Sequence, residues 1–305
     1  MRVTGDRSAV TADASLAARF EAARPQLWAI AYRMLGSIED AQDAVQEAWL
    51  RLSRSAESDA GIANLDAWLT TVVARICLNV LRHRRIHGGE ELVGHLPDPI
   101  VEAPGEFDPE HRAMLADAVG LALFVVLDTL PPAERLAFVL HDVFTVPFDQ
   151  IAAIVDRTPE SARKLASRAR RRIEQADPVP DGTLAAQREV VDAFFAAGRS
   201  GDFDRLVSVL HPDVVLRGDF GAAAAPYRAQ GSASVAELAR SYAGPEREVH
   251  AATVNGAAGA VIFFAGRAAS VMAFVVRGGQ IRAIDVLADP ARIAKLDLRG
   301  LAADH

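Results

Sequence analysis

Between Arg163 and Arg172 the chain sets Arg163, Lys164, Arg168, Arg170, Arg171 and Arg172 within ten residues and no acid among them, in a protein of formal net charge −7. Cations at this density repel one another unless an anion lies near, and the arginine fork matches phosphate oxygens. The chemistry implied is phosphate binding, and local charge contrast rather than net charge points to nucleic acid. A solvated basic face, whose arginine stems merely cover surface, is the plainer alternative.

The elements that must position these cations are legible in the spacing. Ala162, Leu165, Ala166, Ala169 and Ile173 form one apolar stripe of a helix, leaving Arg163, Lys164, Ser167, Arg170 and Arg171 directed elsewhere. Upstream, Phe148, Ile151, Ala152 and Val155 repeat the pattern. Asp156-Arg157 then breaks it, and Thr158 and Pro159 suit the N-cap and first turn of the next helix. The spacing predicts a helix-turn-helix with a basic second helix.

The whole chain, 305 residues with 50% hydrophobic and 24% charged composition, is long enough for two or three domains. Cys77 is the single cysteine, which excludes an intrachain disulfide and a cysteine metal cluster and suits a reducing cytoplasm. The first fifteen residues lack a signal-peptide pattern, and the longest apolar run, Val119 to Leu127, is too short for a bilayer. The expectation is a soluble cytoplasmic protein with no membrane partner. Positive charge is almost all arginine, with only Lys164 and Lys295 as lysines, which genome composition explains as well as phosphate binding does.

Three segments are expected. Residues 1–15 read as poorly ordered, and residues 16–86 as a helical block. Its helices run Phe20 to Leu35, Ile38 to about Ser53 (Ala41, Ala44, Val45, Ala48 and Leu52 inward) and about Ala67 to Arg85 (Leu69, Val72, Val73, Ile76 and Val80 inward). Residues 87–109, dense in proline and glycine, form a linker. Residues 110–176 are a second helical block ending in the helix-turn-helix. Residues 183–296 read as an α+β domain: helices Leu184 to Arg199 and Asp202 to Leu210, then strands at 214–217, 249–254, 260–264, 270–276 and 280–286. A helix near Ser234 to Tyr242 covers this antiparallel sheet. Residues 297–305 read as a poorly ordered tail.

Ile38 to Leu52 and Ala67 to Arg75 resemble the first module of an extracytoplasmic-function sigma factor. Leu130 to His141 and Phe148 to Arg172 resemble the second, and the third segment is similar to the SnoaL-like domain of the sigma J-type subgroup. The resemblance spans about residues 16–295. It implies a multidomain fold, two all-α sigma modules followed by an α+β SnoaL-like (NTF2-like) cone, and a function: binding core RNA polymerase and directing promoter recognition and transcription initiation, modulated in cis by the third domain. A helix-turn-helix regulator with a ligand-binding or enzymatic SnoaL-like domain is the alternative, and it leaves residues 16–86 unexplained.

Specific residues follow from the resemblance. The helix matching Ile38 to Leu52 docks on a basic coiled coil of the polymerase β′ subunit, and Asp40, Asp43 and Glu47, with Gln46 beside them, offer an acidic face; taken alone, that face reads as a solubility feature. The third helix and the loop before it correspond to the part that opens and reads the −10 element. Arg75, Asn79, Arg82, Arg84 and Arg85 are its DNA candidates, Ser58 to Asn64 a base pocket, and Trp68 a residue closer to core than to stacking platform. The basic helix enters the major groove of the −35 element, with Arg163, Lys164 and Ser167 reading bases and Arg168, Arg170 and Arg171 on phosphates.

In the third domain His211, His250, Asn255, Arg267 and Asp285 are the polar groups in or beside apolar strands. None forms an acid/base spacing or a metal set, so no catalytic residue, metal or cofactor is expected. A small-molecule ligand of this domain is left open. Regulation in cis draws on family motifs of the types Trp-Leu-Pro-Glu-Pro, Asp-Gly-Gly-Gly-Lys and Asn-Pro-Asp-Lys-Leu. These align with His95-Leu96-Pro97-Asp98-Pro99, with Asp219-Phe220-Gly221-Ala222-Ala223, which lacks the lysine, and with Asp289-Pro290-Ala291-Arg292-Ile293.

Overall fold

The computed structural model describes residues 6–57, 62–87, 95–105, 120–221 and 224–301. It divides into two compact units, residues 1–87, 109–116 and 131–170, and residues 88–108, 117–130 and 171–305. Most of the Ser58 to Asn64 loop, Gly88, Gly89 and Gly94 of the linker, Pro109, and Ala222 and Ala223 lie outside the described residues.

In the first unit, α1 (Asp6–Leu35), α2 (Ile38–Glu57) and α3 (Leu65–His87) pack on one another. Helix α1 starts at Asp6, within the stretch expected to be poorly ordered; Ala9, Ala12 and Ala14 carry it N-terminally because alanine is the strongest helix former. It stops at Gly36, whose positive φ lets the chain turn, and Ser37 Oγ accepts from the Asp40 amide to start α2. The expected stripe of α2 is fully buried. In α3, Leu69, Val73 and Ile76 are buried as expected, but Val72 and Val80 are half-exposed, and Leu65 and Cys77 fill the interior instead. Burial pushes the Cys77 thiol up to about 12.

The helix-turn-helix completes this unit: α5 (Pro132–Phe138), a π-helical turn (Val139–Val143), α6 (Phe148–Val155) and α7 (Pro159–Ala176) as far as Arg170. Asp156 in the left-handed conformation closes α6, and Thr158 Oγ1 accepts from the Ser161 amide to open α7. All five residues of the expected α7 stripe are buried. The π turn has no counterpart in the sequence pattern, because five residues are too few for a changed apolar period to be read.

Among the described residues the second unit holds a seven-stranded sheet in the order β1-β4-β5-β6-β7-β2-β3. Its strands are β1 (Val101–Glu102), β2 (Leu210–Asp219), β3 (Tyr227–Gln230), β4 (Arg247–Val254), β5 (Ala257–Phe264), β6 (Arg267–Arg277) and β7 (Gln280–Leu287). Helices α8 (Leu184–Ser200), α9 (Phe203–Val209) and α10 (Ser232–Tyr242) bury one face, where Val191, Phe194, Leu206 and Val235 meet Leu216, Phe274 and Ile284. The other face, with Ala252, Val254, Val261, Phe263, Val271 and Ala273, is covered by Val101, Ala103, Leu121 of α4 (Gly120–Asp128) and Leu301. After a short helix α11 (Pro290–Ile293), the tail expected to be poorly ordered seats Leu301 in the core.

Two features differ from expectation. β2 pairs with β7 in parallel rather than antiparallel; period-2 alternation is the same for either direction, so the pattern carries no sign of it. β3 is short, exposed and at the edge, without the alternation that marks a strand.

Candidate nucleic-acid and polymerase interface

On α7 every expected DNA residue is exposed, but the cations divide into two sets. Arg170 donates through Nε to Asp142 Oδ1 at 2.9 Å and adds a second bond from Nη2, and Arg168 lies 3.6 Å from buried Glu134. These arginines tie the basic helix to the π turn and to α5. Lys164 meets Glu160 one turn away with both groups exposed, an attachment of little energy that phosphate readily replaces. Arg163 stacks over Phe148, its guanidinium 5.5 Å from the ring. Lys164, Ser167 and Arg171 lie opposite the apolar stripe, so the outward face centres on them.

On α3, Asn79, Arg82 and Arg85 are exposed. Arg84 is half-buried, donating to Leu35 O at 3.0 Å and to the Asp40 carboxylate, so it holds α3 to the α1–α2 corner. Arg75 donates to Ala153 O on α6 at 2.9 Å. Beside it Gln150 Nε2 donates to Ala67 O, and Arg135 donates twice to Arg33 O. The helix-turn-helix and the first three helices therefore share one unit, joined partly through a side chain expected on DNA. Trp68 is half-buried on the N-terminal turn of α3.

On α2, Asp43 and Gln46 are exposed, Glu47 pairs with Arg51 one turn on at 2.9 Å, and Asp40 is committed to Arg84. The acidic face is present but narrower than its residue list.

In the second unit Leu96, Pro97, Asp98 and Pro99 are brought together with Asp219 and the α11 segment. Arg292 is the hub: Nε and Nη2 donate to Asp98 Oδ1 at 2.9 and 2.6 Å, Nη1 to Asp219 Oδ2 at 2.7 Å, and Nη2 to Leu96 O at 2.6 Å. Asp219 also accepts from the Leu96 and Gly221 amides and lies 3.2 Å from His95 Nδ1. Asp289 caps the helix that Pro290 opens, and its carboxylate stands where a Cβ on Gly221 would be, 2.6 Å away, so glycine is required there. Asn255, at a positive φ in the β4–β5 turn, accepts from the Ile100 amide and donates its own amide to Ile100 O. From there Val101 and Glu102 continue as β1 on β4.

Arg292 and Asn255 are the two residues of this cluster that sequence reasoning underrated. A signal existed for the first: Arg292 stands at the lysine position of the tail motif, and it supplies the cation that the Asp219 motif lacks. The other polar residues of this domain do not converge. Asp285 is buried and held by Arg217 at 2.5 and 3.0 Å; burial pulls that guanidinium down, but the charge and hydrogen bonds of Asp285 outweigh it and hold it above its ordinary value. His211 accepts from the Asp213 amide, His250 packs on Phe263, and Arg267 is exposed.

Residues 19–86 match Sigma-70 region 2, and residues 121–173 match Sigma-70, region 4. The chain is 44% identical over 210 residues to the ECF RNA polymerase sigma factor SigJ of Mycobacterium tuberculosis, 66% of this chain and 64% of that one. It is 35% identical over 285 residues to the probable ECF RNA polymerase sigma factor SigI of the same species, 92% of this chain and 96% of that one. The chain belongs to the ECF RNA polymerase sigma factors. As a member of this family it binds core RNA polymerase and promoter DNA and directs initiation. The crystal structure of Mycobacterium tuberculosis SigJ matches this sigma factor with a TM-score of 0.73 at 36% identity, covering 93% of this chain and 100% of that one. No described helix is long and apolar enough to cross a membrane.

Proposed function

We propose that this sigma factor is set in cis by how firmly its third domain holds the chain between regions 2 and 4. In this reading Asp43, Gln46 and Glu47 dock on the β′ coiled coil, Arg75, Asn79, Arg82 and Arg85 follow the −10 strand, and Arg163, Lys164, Ser167 and Arg171 meet the −35 groove. The domain boundaries follow: residues 16–86 and 110–176 are the sigma modules, 87–109 the connection, 183–296 the regulatory domain. The protein acts by binding rather than by catalysis, in the cytoplasm with polymerase.

The observation that carries the reading is the Arg292 clip. A chain segment between two DNA-binding modules would ordinarily stay solvated, yet residues 96–101 are buried or half-buried and anchored by two carboxylates, two backbone carbonyls and a β-bridge. The −10 and −35 elements lie about 25 base pairs apart, roughly 85 Å of B-DNA at about 35 Å per turn. Region 2 and the helix-turn-helix of region 4 (residues 131–170), inside one compact unit, must separate to occupy both, and the clip limits the free chain available for that.

The test is promoter-specific run-off transcription by core polymerase reconstituted with this protein, comparing the native chain with Arg292→Ala. Unchanged initiation and unchanged affinity for polymerase would refute cis regulation through the clip.

A further inference from the structure

Phe148 opens the apolar stripe of α6 in the sequence, yet it is the member of that stripe left half-buried, while Ile151, Ala152 and Val155 are buried. Its ring has two neighbours of different kinds. The His141 ring lies 3.8 Å away between centroids, tilted by 31°, and is itself anchored, since His141 Nδ1 donates to Val146 O at 3.1 Å. The Arg163 guanidinium lies over the Phe148 ring, 5.5 Å from its centroid. The contact thus runs from the π turn, through the first residue of α6, to the first half of the basic helix α7.

An ion pair and an aromatic ring hold an arginine in different ways. Arg170 commits Nε and Nη2 to the Asp142 carboxylate, and those donors are no longer available to DNA. A ring attracts the cation through its quadrupole and takes none of its N–H donors. Among the described residues Arg163 makes no hydrogen bond or ion pair, so its fork stays uncommitted while its exposed side chain has a resting place. Ordering a long side chain opposes binding, and holding it beforehand reduces that opposition. An uncommitted arginine fork on a helix in the major groove matches guanine, whose O6 and N7 accept two N–H bonds.

We propose that Phe148, backed by His141, is a positioning residue for promoter reading: it holds Arg163 over its ring with the fork free for a guanine, and so sets discrimination at one base pair of the −35 element. The inference rests on the proposed placement of Arg163 in the −35 groove. Cation–π attraction at an exposed site corresponds to about a threefold change in population. Discrimination at that base pair changes by the same factor, while the charge on α7 and its phosphate contacts do not.

The test uses core polymerase reconstituted with the full chain and a library of duplexes randomised across the −35 element, with the bound duplexes sequenced. Arg163→Ala is expected to flatten a guanine preference at one position. Phe148→Leu keeps an apolar side chain and removes the ring. It should lower that same preference by about threefold, leaving the other positions and the slope of log affinity against log salt as in the native chain. Phe148→Tyr or Phe148→Trp should restore the preference. A native profile for Phe148→Leu at the position that Arg163→Ala flattens overturns the proposal and leaves Arg163 in the groove. Equal loss at every position, or recovery by neither aromatic variant, gives Phe148 a packing role alone and also overturns it. If Arg163→Ala flattens no position and only lowers the salt slope by about 1, Arg163 is a phosphate contact, and its base reading falls together with this proposal.

Discussion

Replacing Arg292 by alanine tests the clip most directly. The guanidinium makes four hydrogen bonds, two to Asp98 and one each to Asp219 and Leu96 O, with the two carboxylate side chains only 18% and 3% exposed. Removing one partner of a buried ion pair costs about 3–5 kcal/mol, because the abandoned charge stays desolvated. Asp98 regains water when the linker leaves, so most of that cost falls on the clipped state and the lower end, about 3 kcal/mol, applies. At about 1.4 kcal/mol per decade, the open form gains about 10²-fold. The Leu96 and Ile100 amides donate only within the clip, to Asp219 and Asn255. Their hydrogen exchange should therefore accelerate about 10²-fold, while core amides of β6 and β7 keep the native rate. Arg292→Lys, which keeps the charge but loses the fork, should give roughly a tenth of the effect. Acceleration below about threefold, or an equal acceleration throughout β6 and β7, would refute the argument.

Further outcomes follow from the same geometry. Arg171→Ala should lower the slope of log affinity against log salt for −35 DNA by about 1, whereas Arg170→Ala, whose side chain is occupied by Asp142, should change the slope less and lower the melting temperature; equal slope changes in a filter-binding titration would contradict the division. Asp43→Arg should weaken core polymerase binding by about tenfold at low salt, with the difference shrinking as salt rises, and a salt-independent effect would deny a charge contact. Cys77, its thiol pushed up to about 12, should resist alkylation in the native protein at pH 8 and react within minutes once unfolded; native labelling at the rate of a free thiol would deny its burial. Because the folded state holds that thiol neutral, its contribution to stability is present below the ordinary thiol pKa of about 8.5 and fades as pH rises above it.

Much of the site was legible because its parts are local. The stripe from Ala162 to Ile173, the Thr158-Pro159 start and the Ala41 to Leu52 stripe are set by spacing within one helix, and each is buried or placed as the spacing requires. What sequence could not carry is which charges find partners at long range. Arg84 meets Asp40, Arg170 meets Asp142, and Arg292 meets Asp98 across gaps of 44, 28 and 194 residues, so residues of one type split into structural and outward-facing sets. The same holds for α4: its apolar character is plain in the chain, but nothing in a nine-residue run says that the sheet of a domain beginning sixty residues later will cover it.

Opening region 2 away from region 4 has a scale that can be bounded. Among the described residues the polar links between them include Arg75 to Ala153 O, Gln150 to Ala67 O and Thr71 Oγ1, and the paired bonds from Arg135 to Arg33 O. Each neutral bond contributes about 1 kcal/mol net and each from a charged donor about 1.5–3, since water replaces them on separation. A sum of several kcal/mol keeps the free protein closed, yet a polymerase that binds the separated form with nanomolar affinity supplies about 12 kcal/mol. In the proposed reading, polymerase binding drives that separation. The free energy of the Arg292 clip, acting on the same equilibrium, sets how much polymerase that takes. In the proposed reading Arg75 makes the coupling chemical as well as mechanical: while it donates to Ala153 O it is withheld from the −10 strand.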